Sequence, residues 1–383
     1  MFNKRSQNKE KPNRHKNISD TNLPKRSLGQ NFFTNQTLAQ KIAQFVLDTQ
    51  HNYIIEIGPG KGAFTYFFEK DNANLVLIEK DDTLAKSLPS YFPKAHIINK
   101  DILEINLHET ISSFKIGNSG KTLKNIISTF VIFGALPYNI SKPIIKKCMS
   151  ELPGTTMFFI IQKEVADKYC DNKESNILNM QSQYFGTFSK IMDIQPGNFM
   201  PRPKVISTLI KFSPYNLLCE VKPSTDHDKK MLINQQNRCE LSKVQLSDFH
   251  QFEKLLFRAF RSPRKTIKNN LGYDDNKLTK MQNIFTKIIN NNIYIGEKNT
   301  HKKSLTSKYE AQTYYEKLFV NQANNFEKSE NKIQTFNDYR YKSLLIKMLM
   351  QNDKKSRNFS EIMKLRPQDV TLLEFLLLSE IAD

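Results

Sequence analysis

Tyr53-Ile54-Ile55-Glu56-Ile57-Gly58-Pro59-Gly60-Lys61-Gly62 decides how the rest of the chain is read. Its first half is apolar and β-branched, as a buried strand requires, its second half is a glycine-rich turn, and a helix is expected from Ala63. Glycines at 58, 60 and 62 let the main chain turn tightly and approach a ligand, and the following helix offers unpaired N–H groups. A second apolar run, Leu75-Val76-Leu77-Ile78, ends at Glu79, roughly 20 residues beyond the first glycine, where an acid can accept both hydroxyls of a ribose. Gly58 to Ala63 also satisfies the loose dinucleotide pattern, so the loop alone leaves a nicotinamide and an adenosyl cofactor both open. A third strand, His96 to Lys100, ends at Asp101, whose carboxylate can accept from the exocyclic amine of adenine. The alternation predicts a doubly wound, mainly parallel α/β sheet with its ligands at the carboxyl edge of the strands.

A fourth strand tip carries different chemistry. The apolar run Phe130 to Phe133 leads into Gly134-Ala135-Leu136-Pro137-Tyr138-Asn139-Ile140-Ser141 and then a helix over Lys142 to Cys148. A rigid proline turn bearing an aromatic can hold a flat ring at the sheet edge. Met157 to Ile161 reads as another buried strand, and Gln183 to Ile194 and Ile206 to Phe212 read as an antiparallel edge. Between those two lies Phe199-Met200-Pro201-Arg202-Pro203-Lys204-Val205, an extended turn that leaves Phe199 as a candidate second stacking surface.

Composition narrows the partners. The 383 residues are 39% hydrophobic, enough for a sizeable core in two or three domains. Lysine and arginine outnumber the acids 57 to 38, a formal charge of +19, which points to a polyanion and most simply to nucleic acid. No apolar stretch approaches the roughly 20 residues of a spanning helix, and the polar amino terminus lacks a signal-peptide core, so a cytoplasmic protein off the membrane is expected. Cys148, Cys170, Cys219 and Cys239 have no paired short spacing, which predicts reduced thiols, no zinc cluster and no metal.

Five features in one order, Asn31-Phe32-Phe33, Glu56 to Gly62, Glu79, Asp101 and Gly134 to Ser141, together resemble the small-subunit ribosomal RNA adenine N6,N6-dimethyltransferases. The resemblance implies a Rossmann-like methyltransferase sheet and S-adenosyl-L-methionine as cofactor, bordered by Asn31, Phe33, Gly58, Gly60, Glu79, Asp101 and Ala135. It implies that Leu136, Pro137 and Tyr138 clamp the target adenine, with Phe199 as a second stacking group. The implied substrate is small-subunit ribosomal RNA near its 3′ end, in an immature subunit. One departure stands out: the family's asparagine, whose amide oxygen would accept from the adenine amine, is Ala135 here. An RNA-binding assembly factor with weak or lost methyl transfer is therefore the alternative expectation.

The expected layout is a disordered basic arm over 1–22, a methyltransferase domain over 23–214, a linker over 215–247, a helical RNA-binding domain over 248–319 and a helical extension over 320–383. In the helical domain Arg258, Arg261, Arg264, Lys265 and Lys268 surround one junction, interrupted by a single acid, Glu253, and fit a grip on RNA phosphates. Ser262 and Pro263 read as the cap and first residue of a helix at that junction. The extension holds helical patterns at Tyr341 to Met350 and Val370 to Ile381, and Leu372 to Leu378 is apolar enough to require burial.

Overall fold

The structure, a computed structural model, describes residues 24–25, 28–71, 74–112, 115–116, 121–122, 130–171, 173–215, 249–297 and 357–381. The expected basic arm, the linker beyond Tyr215 and the helical pattern at Tyr341 to Met350 lie outside these residues. The strands are β1 (Phe32–Phe33), β2 (Tyr53–Ile57), β3 (Asn74–Ile78), β4 (His96–Ile98), β5 (Lys115–Ile116), β6 (Lys121–Thr122), β7 (Phe130–Ala135), β8 (Thr156–Gln162), β9 (Gly186–Ile194), β10 (Phe199–Met200) and β11 (Ser207–Pro214). Seven of them form one sheet in the order β4-β3-β2-β7-β8-β11-β9. Strands β4 through β8 in that order are parallel, and β11 and β9 close the edge antiparallel.

The parallel strands are continuous apolar runs because both faces of the sheet are covered. Ile54, Leu75, Leu77, Val131, Phe133, Phe158 and Ile160 turn to one face. Their neighbours Ile55, Val76, Ile78, Ile132, Met157, Phe159 and Ile161 turn to the other. The first face is roofed by helices α1 (Gln36–Leu47), α2 (Thr65–Lys70) and α3 (Asp82–Tyr91), which bury Ile42, Phe68 and Leu88. The expected helix at Ala63 begins two residues later, because residues 60–64 form turns that lead out of the glycine loop. Behind α4 (Leu107–Ser112), the second face carries α5 (Ser141–Glu151), α6 (Lys163–Cys170) and α7 (Ile177–Gln183). Gln183 therefore ends a helix, and the edge strand starts at Gly186.

The carboxyl-terminal unit comprises helix α8 (residues 249–259), α9 (Ile267–Leu271), α10 (Asp275–Glu297), α11 (Phe359–Lys364) and α12 (Leu372–Ile381). One sequence expectation changes here. Thr266, not Ser262, caps the helix, its side chain accepting the Asn269 N–H, and the helix buries Ile267 and Leu271. Residues 357–381 of the expected extension are helical and pack on the unit, burying the apolar run from Leu372 to Leu378 that the sequence marks for burial. Phe375 stacks on Phe260 at 5.7 Å and Phe359 meets Phe285 at 5.7 Å. Leu372, Leu373 and Phe375 to Leu378 are all buried, as a helix apolar around its whole circumference must be. Bidentate bonds from Arg357 to Glu374, at 2.7 and 2.8 Å, tie its start.

This unit shares its core with the sheet domain. Tyr184 packs against Phe249 and Phe252, both at 5.3 Å, and Phe185 against Phe249 at 4.7 Å. Glu253, read from sequence as an acid interrupting the basic face, is turned inward, where it accepts from Lys146 of α5 at 2.5 Å and from Gln181 of α7 at 2.6 Å.

Candidate functional site

The carboxyl ends of β2, β3, β4 and β7 bring the predicted residues to one edge. Gly58, Gly60 and Gly62 all have positive φ, at 66°, 58° and 75°. A Cβ on Gly62 would stand 2.5 Å from the Phe92 ring, so no larger residue fits. Around Gly58 nothing lies within 4 Å of where a Cβ would be, which leaves open space above the loop.

Glu79 is buried at the tip of β3, with Oε2 accepting the Gly60 N–H at 3.1 Å and Oε1 the Asp81 N–H at 2.9 Å. Burial pushes its pKa up, against the pull of these N–H bonds. A carboxylate has about four lone-pair sites, so these bonds leave it acceptor capacity for a ribose hydroxyl. Asp101 follows the same rule beyond β4: Oδ1 accepts the Leu103 N–H at 2.9 Å and Oδ2 pairs with Lys80 at 2.6 Å. Burial alone would raise its pKa, but the Lys80 bond and the Leu103 N–H hold the carboxyl below its usual value.

Glu56 opens the motif quoted from the sequence, which gave it no role of its own. It lies under the glycine loop, buried, with Oε2 accepting the Thr65 hydroxyl at 2.7 Å. Burial pushes its pKa up to about 8, the Thr65 bond opposing and the Glu79 charge adding to the rise. Its place one residue before the glycine turn, on a strand whose other residues are apolar, was the available signal.

At the tip of β7, Ala135 is partly exposed and Leu136 is buried, its N–H bonded to the Ile160 carbonyl at 3.1 Å. Pro137 O accepts the Ile140 N–H at 3.2 Å and Tyr138 O the Ser141 hydroxyl at 3.3 Å, which fixes the turn. The Tyr138 ring is half-buried, and its hydroxyl lies 2.6 Å from Ser207 Oγ.

The segment before α1 is a strap across these tips. At one end Lys25 and Gln30 bind the two oxygens of Asp81 at 2.8 and 2.9 Å, two residues past Glu79. In its middle, Gly29 lies against the clamp loop: a Cβ there would meet Asn139 Oδ1 at 3.0 Å and Pro137 Cβ at 3.6 Å. Asn31 is half-buried, its amide donating to the Gly29 carbonyl at 3.3 Å. At the far end β1 pairs with β10, Phe32 opposite Met200 and Phe33 opposite Phe199.

That register separates two neighbours. Phe33 faces inward between Phe64 at 4.8 Å and Phe199 at 5.1 Å. Phe32 faces the glycine loop, its ring 3.2 Å from where a Gly60 Cβ would sit and 5.3 Å from the Lys61 ammonium. The sequence named Phe33 rather than Phe32 as the pocket residue, because a two-residue strand has no measurable alternation to tell the faces apart. Phe199 is 5% exposed and edge-on to Phe33, so here it packs as part of the wall and offers no open stacking face.

The basic junction divides as well. Arg258 donates to the Leu271 carbonyl at 2.6 Å and lies 4.8 Å over the Tyr273 ring, which makes it a clip between α8 and the end of α9. Lys268 pairs with Asp275 at 3.1 Å. Arg261, Arg264 and Lys265 are exposed and have no ion pair among the described residues. No helix among the described residues is long and apolar enough to cross a membrane, and no cluster of metal-ligating side chains is found among them. A cleft of ≈ 490 Å³ lined by Leu47 to Asn52, Asp71 and Asn74 lies at the opposite, amino-terminal edge of the strands, away from the glycine loop.

Comparison with known proteins agrees with this geometry. The family profile described as ribosomal RNA adenine dimethylase matches residues 21–231. Ribosomal RNA small subunit methyltransferase A of Francisella tularensis subsp. tularensis (strain FSC 198) is 31% identical over 255 residues, 64% of this chain and 83% of that protein. The protein of the same name from subsp. novicida (strain U112) matches with the same identity, 31%, over the same 255 residues. The crystal structure of a dimethyladenosine transferase from Plasmodium falciparum superposes with a TM-score of 0.50 at 16% identity, covering 92% of this chain and 97% of that one, a likeness of fold.

Proposed function

The chain belongs to the ribosomal RNA adenine dimethylase family, and from that premise we propose that it transfers methyl groups from S-adenosylmethionine to N6 of adenines near the 3′ end of small-subunit ribosomal RNA, in immature subunits in the cytoplasm. The observation that carries this reading is the convergence of the glycine loop, Glu79, Asp101 and the Leu136–Tyr138 turn at one sheet edge under one strap. The residues fit the donor: open space stands above Gly58, and Glu79 keeps acceptor capacity for a ribose hydroxyl beside it. When bound, the donor supplies an electrophilic methyl group on a sulfonium.

The chain's own part is orientation. An adenine amine is a weak nucleophile because its lone pair is delocalised into the ring, and hydrogen bonds from its protons to fixed acceptors favour the pyramidal, reactive form. The backbone carbonyls of the Leu136–Pro137 turn are the acceptors left at this tip; Pro137 O and Tyr138 O each also accept one bond within the turn. Tyr138 offers the ring that stacks on the base. Ala135 supplies no side-chain acceptor, and removing one polar group aimed at developing charge costs ~10² to 10³ in rate. Asn139 does not replace it, since its side chain lies against Gly29 of the strap. Arg261, Arg264 and Lys265 provide the grip on RNA phosphates.

Purified protein incubated with labelled donor and immature small subunits tests the proposal. Incorporation at adenine N6 is expected, and Ala135→Asn should raise its rate. Tight RNA binding with no incorporation above blank by either protein would leave an assembly factor as the function instead.

A further inference from the structure

We propose that Ser207 is a positioning residue for methyl transfer, holding the Tyr138 ring at the angle in which it meets the target base. The inference rests on the reading of Tyr138 as the clamp ring. Its basis is one hydrogen bond and the rigidity of what stands behind it. The Tyr138 hydroxyl and Ser207 Oγ are 2.6 Å apart, toward the short end of ordinary O–H···O bonds. Ser207 is fully buried and opens β11, where it lies opposite Gln162 of β8 and Ile194 of β9. The residue before it is also held, the Ile206 carbonyl accepting the Lys163 N–H at 2.9 Å. The serine oxygen is thus a fixed point of the sheet.

Tyr138 is its opposite. It sits in a turn beyond β7, and its side chain is only half-buried. A ring attached there through a single-bonded Cβ can swing, and a swinging ring makes a poor template for a flat base. The hydroxyl bond fixes the far end of the ring, so both ends of its long axis are held. Burial pushes the Tyr138 pKa up, with the Ser207 bond opposing, which keeps the phenol protonated and able to donate to Ser207 Oγ.

The test compares Ser207→Ala, Tyr138→Phe, the double variant and Tyr138→Ala in steady-state methyl transfer with the full-length protein. Each of the first two should lower kcat on the order of tenfold to a hundredfold, with donor affinity and the KM for RNA unchanged. Because both remove one shared bond, the double variant should be no slower than either single one. Tyr138→Ala should be the slowest. If Tyr138→Ala is slow while both Ser207→Ala and Tyr138→Phe stay within twofold of wild type, the anchoring is overturned and the clamp stands. Effects that multiply in the double variant overturn it too, since the two oxygens then act separately. Activity of Tyr138→Ala equal to wild type removes the clamp reading and this inference with it. Should Ser207→Ala fail to fold, Tyr138→Phe breaks the same bond from the other side and decides alone.

Discussion

The carboxyl edge of the sheet and the helical unit behind it are built in opposite ways. At the edge, each functional group sits on a short contiguous motif, and local rules place it: a strand ends, a glycine turns, an acid follows. In the helical unit the groups that matter are far apart in sequence, with Phe260 against Phe375 and the Ile267 N–H bonded to the Leu365 carbonyl at 2.8 Å. In the helical unit, a change at one segment is felt by all, and through Tyr184, Phe249 and Glu253 by the sheet domain as well.

That contrast predicts where substitution costs stability and where it costs function. The largest effect is expected at Phe375, fully buried in the last helix. Phe375→Ala should remove about 3–5 kcal/mol from the unfolding free energy, measured by denaturant titration. An unchanged midpoint would mean that the terminal helices are not part of the common core.

Much of the edge was legible because its signals are local. The apolar run to Ile57 and its glycines, the acid after Ile78 and the proline turn after Phe133 each announce a strand tip, and each was found at one. The misses share a cause, which is that partners distant in sequence decide orientation. Ser262 and Thr266 are both good caps, and the helix starts after Thr266, with Ile267 and Leu271 buried. Nothing in the order of residues marks Ser207 as the partner of Tyr138. Arg258 reads like Arg261 until the Leu271 carbonyl and the Tyr273 ring appear beside it. Glu253 was within reach: it lies on the helical face of Phe249, Phe252 and Leu256, where an inward acid must find a partner.

A smaller effect sharpens the comparison within the basic junction. Replacing Arg261, Arg264 and Lys265 together by alanine should leave unfolding nearly unchanged and weaken RNA binding. It should also flatten the salt dependence of the affinity by about one slope unit for each phosphate that is no longer neutralised. Arg258→Ala should do the reverse, lowering stability more than the salt slope. Equal salt slopes for the triple variant and wild type would move the phosphate grip elsewhere.

The central claim is that the sheet edge holds the methyl donor through Glu79. Calorimetric titration of S-adenosylmethionine into wild-type protein and into Glu79→Ala tests it most directly. The account predicts saturable binding by the wild type, weakened at least about tenfold in Glu79→Ala, the loss expected when a charged hydrogen-bond acceptor is removed. Equal affinity in the two proteins would contradict it.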